Sequence, residues 1–458
     1  MFHGVKKKDM KKLTEQEMKK NEETLKKLKV IQTKILQIKA ENKYSDKTMD
    51  FLIKAAKLMS DYPTIWSIRK KLMEQYITNN KIEDNHKFLK KDTQQIIPIM
   101  KENPKCYLLW YHRIWCLIKI MEIEIKQNIE LNKCSLMEEI ALCNKFLELD
   151  DRNFHVWNYR VNVLTLFHQF FSGQSFQKFI QNELDYTLTK IKKNFSNFSA
   201  WHYRAKLIPI YFSHSHILWN TQNALDFFNE DLELIKKAMY TDPKDQSPWN
   251  YHFWIVTNFS PIFIENIEIT DNTVKIQYSN VFKIKSVVDL QGTNCSIKNT
   301  DEFSDCLEIN IENNFESAEI KNKEIDSINV NFSNLTLVTN QICFTKENLT
   351  LPLVKLNKNA EGKIEYQIIM NNFEDFQKQF LLKQLNEINQ LIIDSKDYFI
   401  EYAHLRLAQI NHIFYKCTQY DIEAKADDYK NKEKQEYVLL KDKSTRLINL
   451  YSEFLKNI

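Results

Sequence analysis

Glycine and proline are scarce in this chain, with four and eight copies in 458 residues. A sequence so poor in turn formers suits long helices with few tight turns. Long apolar runs are missing too. No stretch approaches the roughly 18 apolar residues of a membrane-spanning helix, and the N-terminus shows no apolar signal core, so no transmembrane segment is expected and the chain reads as cytoplasmic. The eight cysteines, Cys106, Cys116, Cys134, Cys143, Cys295, Cys306, Cys343 and Cys417, form no Cys-x-x-Cys pair. That argues against both a zinc-binding spacing and a disulfide framework, leaving reduced thiols. Excess charge is also lacking: a formal +4 over this length gives no nucleic-acid footprint. Basic residues gather only at the front, in a predicted helix over Leu13–Lys39. That helix reads as solvated and amphipathic, or as a dock for an acidic partner face.

What the chain does have is a repeat. Trp66-Ser-Ile-Arg69, Trp110-Tyr-His-Arg113, Trp157-Asn-Tyr-Arg160, Trp201-His-Tyr-Arg204 and Trp249-Asn-Tyr-His252 follow one another at spacings of 44, 47, 44 and 48 residues. A period of this size marks stacked supersecondary units, none of which can bury its apolar face alone. The unit is a helix pair. In the third copy, Leu136, Ile140, Cys143, Phe146 and Leu147 make a helical stripe. Asp150-Asp-Arg-Asn153 is a polar turn, and a second apolar helix from Phe154 to Phe170 carries Trp157. Asp, Asn, Ser and Pro in the equivalent turns suit helix starts. Trp at one position and Arg three later share a helix face. The guanidinium then lies near the indole or reaches a carboxylate on the next helix. The signature residues therefore read chiefly as ties that hold the stack together.

The pattern changes twice. After about Phe259 the helical period stops. Segments 262–270, 273–278, 281–290, 307–311, 327–330, 335–344 and 363–369 read as short strands, rich in Ile, Val, Phe and Thr and separated by Asn, Asp and Ser. About seven strands in this span fit an antiparallel sandwich, immunoglobulin-like in a loose sense. Helical spacing returns at Asn372 in about three helices. The turn Asp394-Ser-Lys-Asp397 matches Asp242-Pro-Lys-Asp245, which suggests a degenerate sixth repeat with Glu401 in the place of Trp249. The expected domains are 1–258 helical repeats, 259–371 β-sandwich insert and 372–458 C-terminal helices.

The segments Asn103-Pro-Lys-Cys-Tyr-Leu-Leu-Trp-Tyr-His-Arg113, Leu149-Asp-Asp-Arg-Asn-Phe-His-Val-Trp-Asn-Tyr-Arg160, Asn194-Phe-Ser-Asn-Phe-Ser-Ala-Trp-His-Tyr-Arg204 and Thr241-Asp-Pro-Lys-Asp-Gln-Ser-Pro-Trp-Asn-Tyr-His252 resemble the repeats of protein prenyltransferase alpha subunits. Within that group they resemble most the Rab-directed, type II geranylgeranyltransferase branch. The resemblance covers residues 1 to about 258. It implies a mainly α fold: a right-handed α–α superhelix of helix-pair repeats, an inserted immunoglobulin-like β-sandwich and a C-terminal helical segment. The wording of the third to fifth repeats and the insert favour this branch over farnesyl or type I alpha subunits. A non-catalytic scaffold that kept the repeat shape is the other alternative.

The resemblance also implies chemistry. A protein cysteine thiolate attacks the first carbon of geranylgeranyl diphosphate, and pyrophosphate leaves. Zinc ionises the thiol, and cations and tyrosine hydroxyls neutralise the departing diphosphate. The family places zinc and the lipid pocket in a beta subunit, so no cofactor is expected on this chain alone. The implied partners are that beta subunit, geranylgeranyl diphosphate, Rab GTPases and a Rab escort protein. Lys105 and Tyr107 match the positions of a diphosphate-contacting lysine and tyrosine, and a simple surface role for Lys105 in its Pro-Lys turn stays open. His155, at another helix start, is a candidate for the same rim or for packing. His3, in the arm Met1-Phe-His-Gly, is a candidate inhibitory ligand to the partner's zinc, since a neutral imidazole binds zinc well.

Overall fold

The computed structural model describes residues 15–128, 134–215, 221–260, 375–395, 399–418, 426–444 and 448–457, and eight strands between 264 and 369. The chain forms two compact units, residues 1–172 and 173–458. The division falls at Gly173, whose φ of +78° lies in the left-handed region that a side chain disfavours.

In the first unit α1 (Glu15–Glu41) precedes three helix pairs: α2 (Asp46–Leu58) with α3 (Pro63–Asn79), α4 (Ile82–Glu102) with α5 (Tyr107–Lys126), and α6 (Ser135–Leu149) with α7 (Phe154–Phe170). The second unit continues with α8 (Gly173–Lys193), α9 (Phe198–His214), the short α10 (Gln222–Phe227), α11 (Asn229–Thr241) and α12 (Gln246–Phe259). Side chains close the helix starts as the sequence suggests. Ser45 accepts from the Thr48 amide, Asn153 from His155, Asn197 from Ala200, Thr221 from Ala224 and Asp245 from Ser247. Pro63 occupies the first turn of α3. Helix-pair repeats of this kind are the building pattern of an α–α superhelix.

One geometry recurs in every copy of the signature. Each tryptophan indole donates to a backbone carbonyl six residues earlier: Trp66 to Ser60 at 2.8 Å, Trp110 to Pro104 at 3.0 Å, Trp157 to Asp151 at 2.9 Å, Trp201 to Phe195 at 2.8 Å and Trp249 to Pro243 at 2.9 Å. The indole thereby fixes the turn that leads into its own helix. Its ring packs on the aromatic residue two positions past the next tryptophan: Trp66 on His112, Trp110 on Tyr159 and Trp201 on Tyr251, with centroids 4.9–5.1 Å apart.

Three of the signature arginines reach carboxylates on a later helix. Arg69 grips Asp92, Arg113 grips Glu139 and Arg204 grips Asp231, all buried. Each of these acids also accepts from a residue twenty positions on: Asp92 from His112 (2.8 Å), Glu139 from Tyr159 (2.7 Å) and Asp231 from Tyr251 (2.6 Å). Glu183 accepts from Tyr203 over the same interval at 2.8 Å. A buried carboxylate is costly unless paired, and these are paired twice. Burial raises the Asp92 pKa, but His112 and Arg69 outweigh it and hold the group at about 2. Arg160 also bonds Asn144, at 2.7 Å.

His252 stands where the other copies have arginine. Its imidazole meets Gln384 at 2.8 Å, an uncharged version of the same joint. Gln384 lies on α13 (Asp375–Asp394), which packs with α14 (Glu401–Thr418); α15 (Ala426–Lys443) and α16 (Ile448–Asn457) follow. Among the described residues four C-terminal helices are present where about three are expected. Tyr451 of α16 is buried against Ala408, Tyr437 and Leu440, so this short last helix is held by packing rather than by a long pattern.

The strands are β1 (Ile264–Ile269), β2 (Thr273–Ile284), β3 (Cys295–Lys298), β4 (Ser304–Ile311), β5 (Leu335–Thr339), β6 (Ile342–Lys346), β7 (Leu353–Lys358) and β8 (Ile364–Ile369). All described pairings are antiparallel. One sheet runs β3-β4-β2-β5-β6 with β1 on β2, and β7 pairs with β8. The expected break between Tyr278 and Val281 is not a turn. β2 passes through it with a register shift between Gln277 and Phe282, moving its pairing from β4 toward β5. Conversely, the expected strand 335–344 divides into β5 and β6. Segment 327–330 and His3 lie outside the described residues.

Candidate functional site

Two turns of the first unit build the candidate rim. The first runs Asn103-Pro104-Lys105-Cys106 into α5, and the amide of Cys106 donates to Asn103 O at 3.1 Å. Trp110 holds the carbonyl of Pro104, the residue just before Lys105. The second turn, Asp150 to Asn153, leads into α7. Asn153 joins the two: its Oδ1 accepts from the His155 amide at 3.0 Å, and its Nδ2 donates to the same Pro104 carbonyl at 3.3 Å. One buried amide thus fixes both the start of the His155 helix and its distance from the Lys105 turn.

Lys105 is exposed, its ammonium 3.5 Å from Asp150 Oδ2. Asp150 Oδ1 accepts from the amide of Arg152. Tyr107, the first residue of α5, is exposed and meets Tyr111 edge to face at 6.0 Å. Phe154, at the same place in α7, is exposed beside the His155 ring, with centroids 4.0 Å apart. Burial lowers the His155 pKa and the charge of Lys105 lowers it further, so the imidazole is neutral near pH 7. The patch therefore joins a movable ammonium, an exposed phenol and a neutral imidazole at two adjoining helix starts. Free amides there favour anions, so the chemistry on offer is recognition of anionic oxygen.

The ten signature residues do something else. Trp66, Trp110, Trp157, Trp201 and Trp249 are buried, as are Arg69, Arg113, Arg160, Arg204 and His252, and their bonds tie helices together. The tightest grouping of metal-ligand types among the described residues is Asp92, His112 and Cys116. It is engaged otherwise: Arg69 bonds Asp92, His112 sits 2.8 Å from it, and the Cys116 thiol lies 3.6 Å from the same carboxylate. A guanidinium already neutralises that carboxylate, and burial raises the thiol's pKa well above its ordinary value, so the cluster suits hydrogen bonding and not a cation.

Sequence reasoning missed Asn153 and Asp150 as organisers of the rim, and it missed the acid ladder Asp92, Glu139, Glu183 and Asp231. A signal for the ladder exists in the chain, since each acid precedes its aromatic partner by twenty residues.

The family model described as protein prenyltransferase alpha subunit repeat matches residues 97–120, 136–167, 180–210 and 228–259. The geranylgeranyl transferase type-2 subunit alpha of Candida albicans is 32% identical over 287 residues, covering 56% of this chain and 74% of that protein. The Saccharomyces cerevisiae protein of the same name is 29% identical over 261 residues, covering 56% and 73%. The human protein of that name is 34% identical over 205 residues, which cover 44% of this chain and 32% of the human one. A solved Candida albicans protein geranylgeranyltransferase-I complexed with GGPP gives a looser likeness, with 24% identity, a TM-score of 0.38 and coverage of 51% of this chain and 68% of that one. The chain belongs to the family of geranylgeranyl transferase type-2 alpha subunits.

Proposed function

We propose that this chain is the alpha subunit of a heterodimeric enzyme that moves geranylgeranyl from geranylgeranyl diphosphate to C-terminal cysteines of Rab GTPases presented by an escort protein. Family membership is the observation that carries this reading. In the reaction a C–S bond forms at the first carbon of the lipid while its C–O bond to diphosphate breaks. The thiol proton goes to solvent, and pyrophosphate departs with the electron pair. The zinc that ionises the thiol and the pocket that holds the lipid are assigned to the beta subunit. This chain's part is electrostatic: Lys105 approaches the departing diphosphate, Tyr107 donates its hydroxyl, and neutral His155 lines the same rim.

The strands between Ile264 and Ile369 are assigned to an immunoglobulin-like sandwich inserted in the helical chain. Their antiparallel pairing supports that reading. The expected location is the cytoplasm, where Rab substrates are prenylated. No described helix is long and apolar enough to cross a membrane.

The test is co-expression with a beta subunit from the same genome, followed by transfer of labelled geranylgeranyl to a Rab. Escort-dependent transfer is expected. Escort-independent transfer to a CaaX peptide would move the chain to the farnesyl or type I group. A stable complex with neither activity would leave a scaffold.

A further inference from the structure

The joint between α12 and α13 departs from the others. Gln384 precedes His404 by twenty residues, the interval that separates Asp92, Glu139, Glu183 and Asp231 from their aromatic partners. It therefore takes the acid's place in a further helix pair, facing His252 in the arginine's place. At the first joint Asp92 uses both oxygens, one for Arg69 and one for His112. Gln384 uses a single atom. Its Oε1 meets His252 Nε2 at 2.8 Å, while His404 turns to Glu436 on α15, also at 2.8 Å. Gln384 Nε2 and His252 Nδ1 have no hydrogen-bond partner among the described residues, and each side chain is only 2% exposed. A polar atom so buried is costly to leave unpaired. Both side chains line a cleft between α11, α12 and α13 whose walls include Ile235, Met239, Ile388 and Leu391. The partly exposed pair Lys236–Glu387, at 3.8 Å, lies along the same cleft.

We infer that this cleft is a binding site for one buried water, which accepts from Gln384 Nε2 and donates to His252 Nδ1. The chemistry of the two atoms selects it. Gln384 Oε1 can only accept, so the proton of the neutral imidazole sits on Nε2 and Nδ1 is a bare lone pair. The occupant must accept from an N–H and donate to a nitrogen. A metal cation cannot accept, and chloride has no proton to donate. Size removes organic alcohols and the side chains of a partner protein. The free volume is about 20 Å³, and a single water needs about 10–15 Å³ on the same measure. Two polar partners meet the minimum for a buried water. The joint between α12 and α13 thus closes through solvent, where Arg113 and Glu139 close theirs by direct bonds.

The test uses the full chain. A crystal structure sharp enough to place waters should show one about 2.7–3.2 Å from both Gln384 Nε2 and His252 Nδ1. In Gln384→Met, which keeps the side-chain length and removes the N–H, that water should be lost. In solution, a nuclear Overhauser cross-peak between the Gln384 side-chain amide and water should report the same contact. The ¹⁵N shifts of His252 should show a protonated Nε2 and an unprotonated Nδ1. An empty cleft in the wild type, a water bonded to only one of the two atoms, or either side chain turned onto a protein partner would overturn the inference. So would a proton on Nδ1, or a water that persists unchanged in Gln384→Met. Should that variant fail to fold, the wild-type map and cross-peak decide alone.

Discussion

Arg113 and Glu139 meet fork to fork between α5 and α6, with Nε–Oε2 at 2.6 Å and Nη2–Oε1 at 2.7 Å, both side chains buried. The third arm of Arg113 donates to Thr93 O at 2.6 Å, and Tyr159 donates its hydroxyl to Glu139 at 2.7 Å. Removing the carboxylate strands a buried cation and a buried phenol together. Glu139→Ala should therefore destabilise the protein by about 3–5 kcal/mol. Glu138→Ala removes only a partly exposed pair with Lys90 and should cost less than about 1 kcal/mol. Denaturant titration of the two variants checks this, and equal midpoints would contradict the assigned role of Glu139.

Trp201 separates packing from hydrogen bonding. Trp201→Phe keeps an aromatic ring against Tyr251 but leaves the Phe195 carbonyl without its indole donor. The expected loss is about 1–2 kcal/mol. Trp201→Ala also empties a fully buried site and should cost about 3–5 kcal/mol. If Phe and Ala variants melt together, the indole N–H is the dominant contribution and the ring packing is secondary.

The tryptophan period was legible in the chain; of the two contacts it left open to the arginines, Arg69, Arg113 and Arg204 make the one to a carboxylate, and the particular acids were not legible. Arg69, Arg113 and Arg204 lie 23, 26 and 27 residues from their partners, because the intervening turns and helices differ in length. The interval from acid to aromatic stays at twenty, because both belong to one helix pair. Periodicity within a unit survives in sequence, whereas contacts between units inherit loop variation. The rim shows the same limit. Motif matching brings Lys105 and Tyr107 forward, but their nearness to His155 depends on Asn153 bonding the Pro104 carbonyl across 49 residues, and no local pattern encodes that bond. Around Ser279-Asn280, residues that usually mark a turn sit where β2 shifts register, since polar residues suit a bulge as well as a turn.

Lys105→Ala should leave heterodimer assembly unchanged and lower turnover. A charge-assisted contact to the leaving diphosphate contributes about 1.5–3 kcal/mol, which corresponds to roughly 10–100-fold in rate. Asp150→Asn frees the ammonium from its 3.5 Å partner and should raise affinity for the diphosphate without loss of turnover. Steady-state kinetics with a binding assay for the beta subunit separates the effects. An unchanged rate for Lys105→Ala would place that residue outside the chemistry.

His252 gives the fold a pH dependence. Burial, helped by the charge of Arg406 and opposed by the bond to Gln384, holds its pKa at about 3, against 6.5 for an ordinary histidine. The unfolded chain therefore binds one more proton at this residue between those values. The associated stability is present in full above about pH 6.5. It is lost as pH falls toward 3, at about 1.4 kcal/mol per pH unit. His252→Gln should reduce the pH slope of the unfolding free energy, by up to about one proton near pH 5, where Asp92 is largely ionised in both states. Gln384→Glu would restore the acid found at the other joints and give His252 a carboxylate partner. The His252 pKa should then rise, moving its share of the acid sensitivity into a narrower window nearer pH 6. Denaturant titrations across this range decide the matter: parallel slopes for wild type and His252→Gln would mean that the buried imidazole is not the group that senses acid.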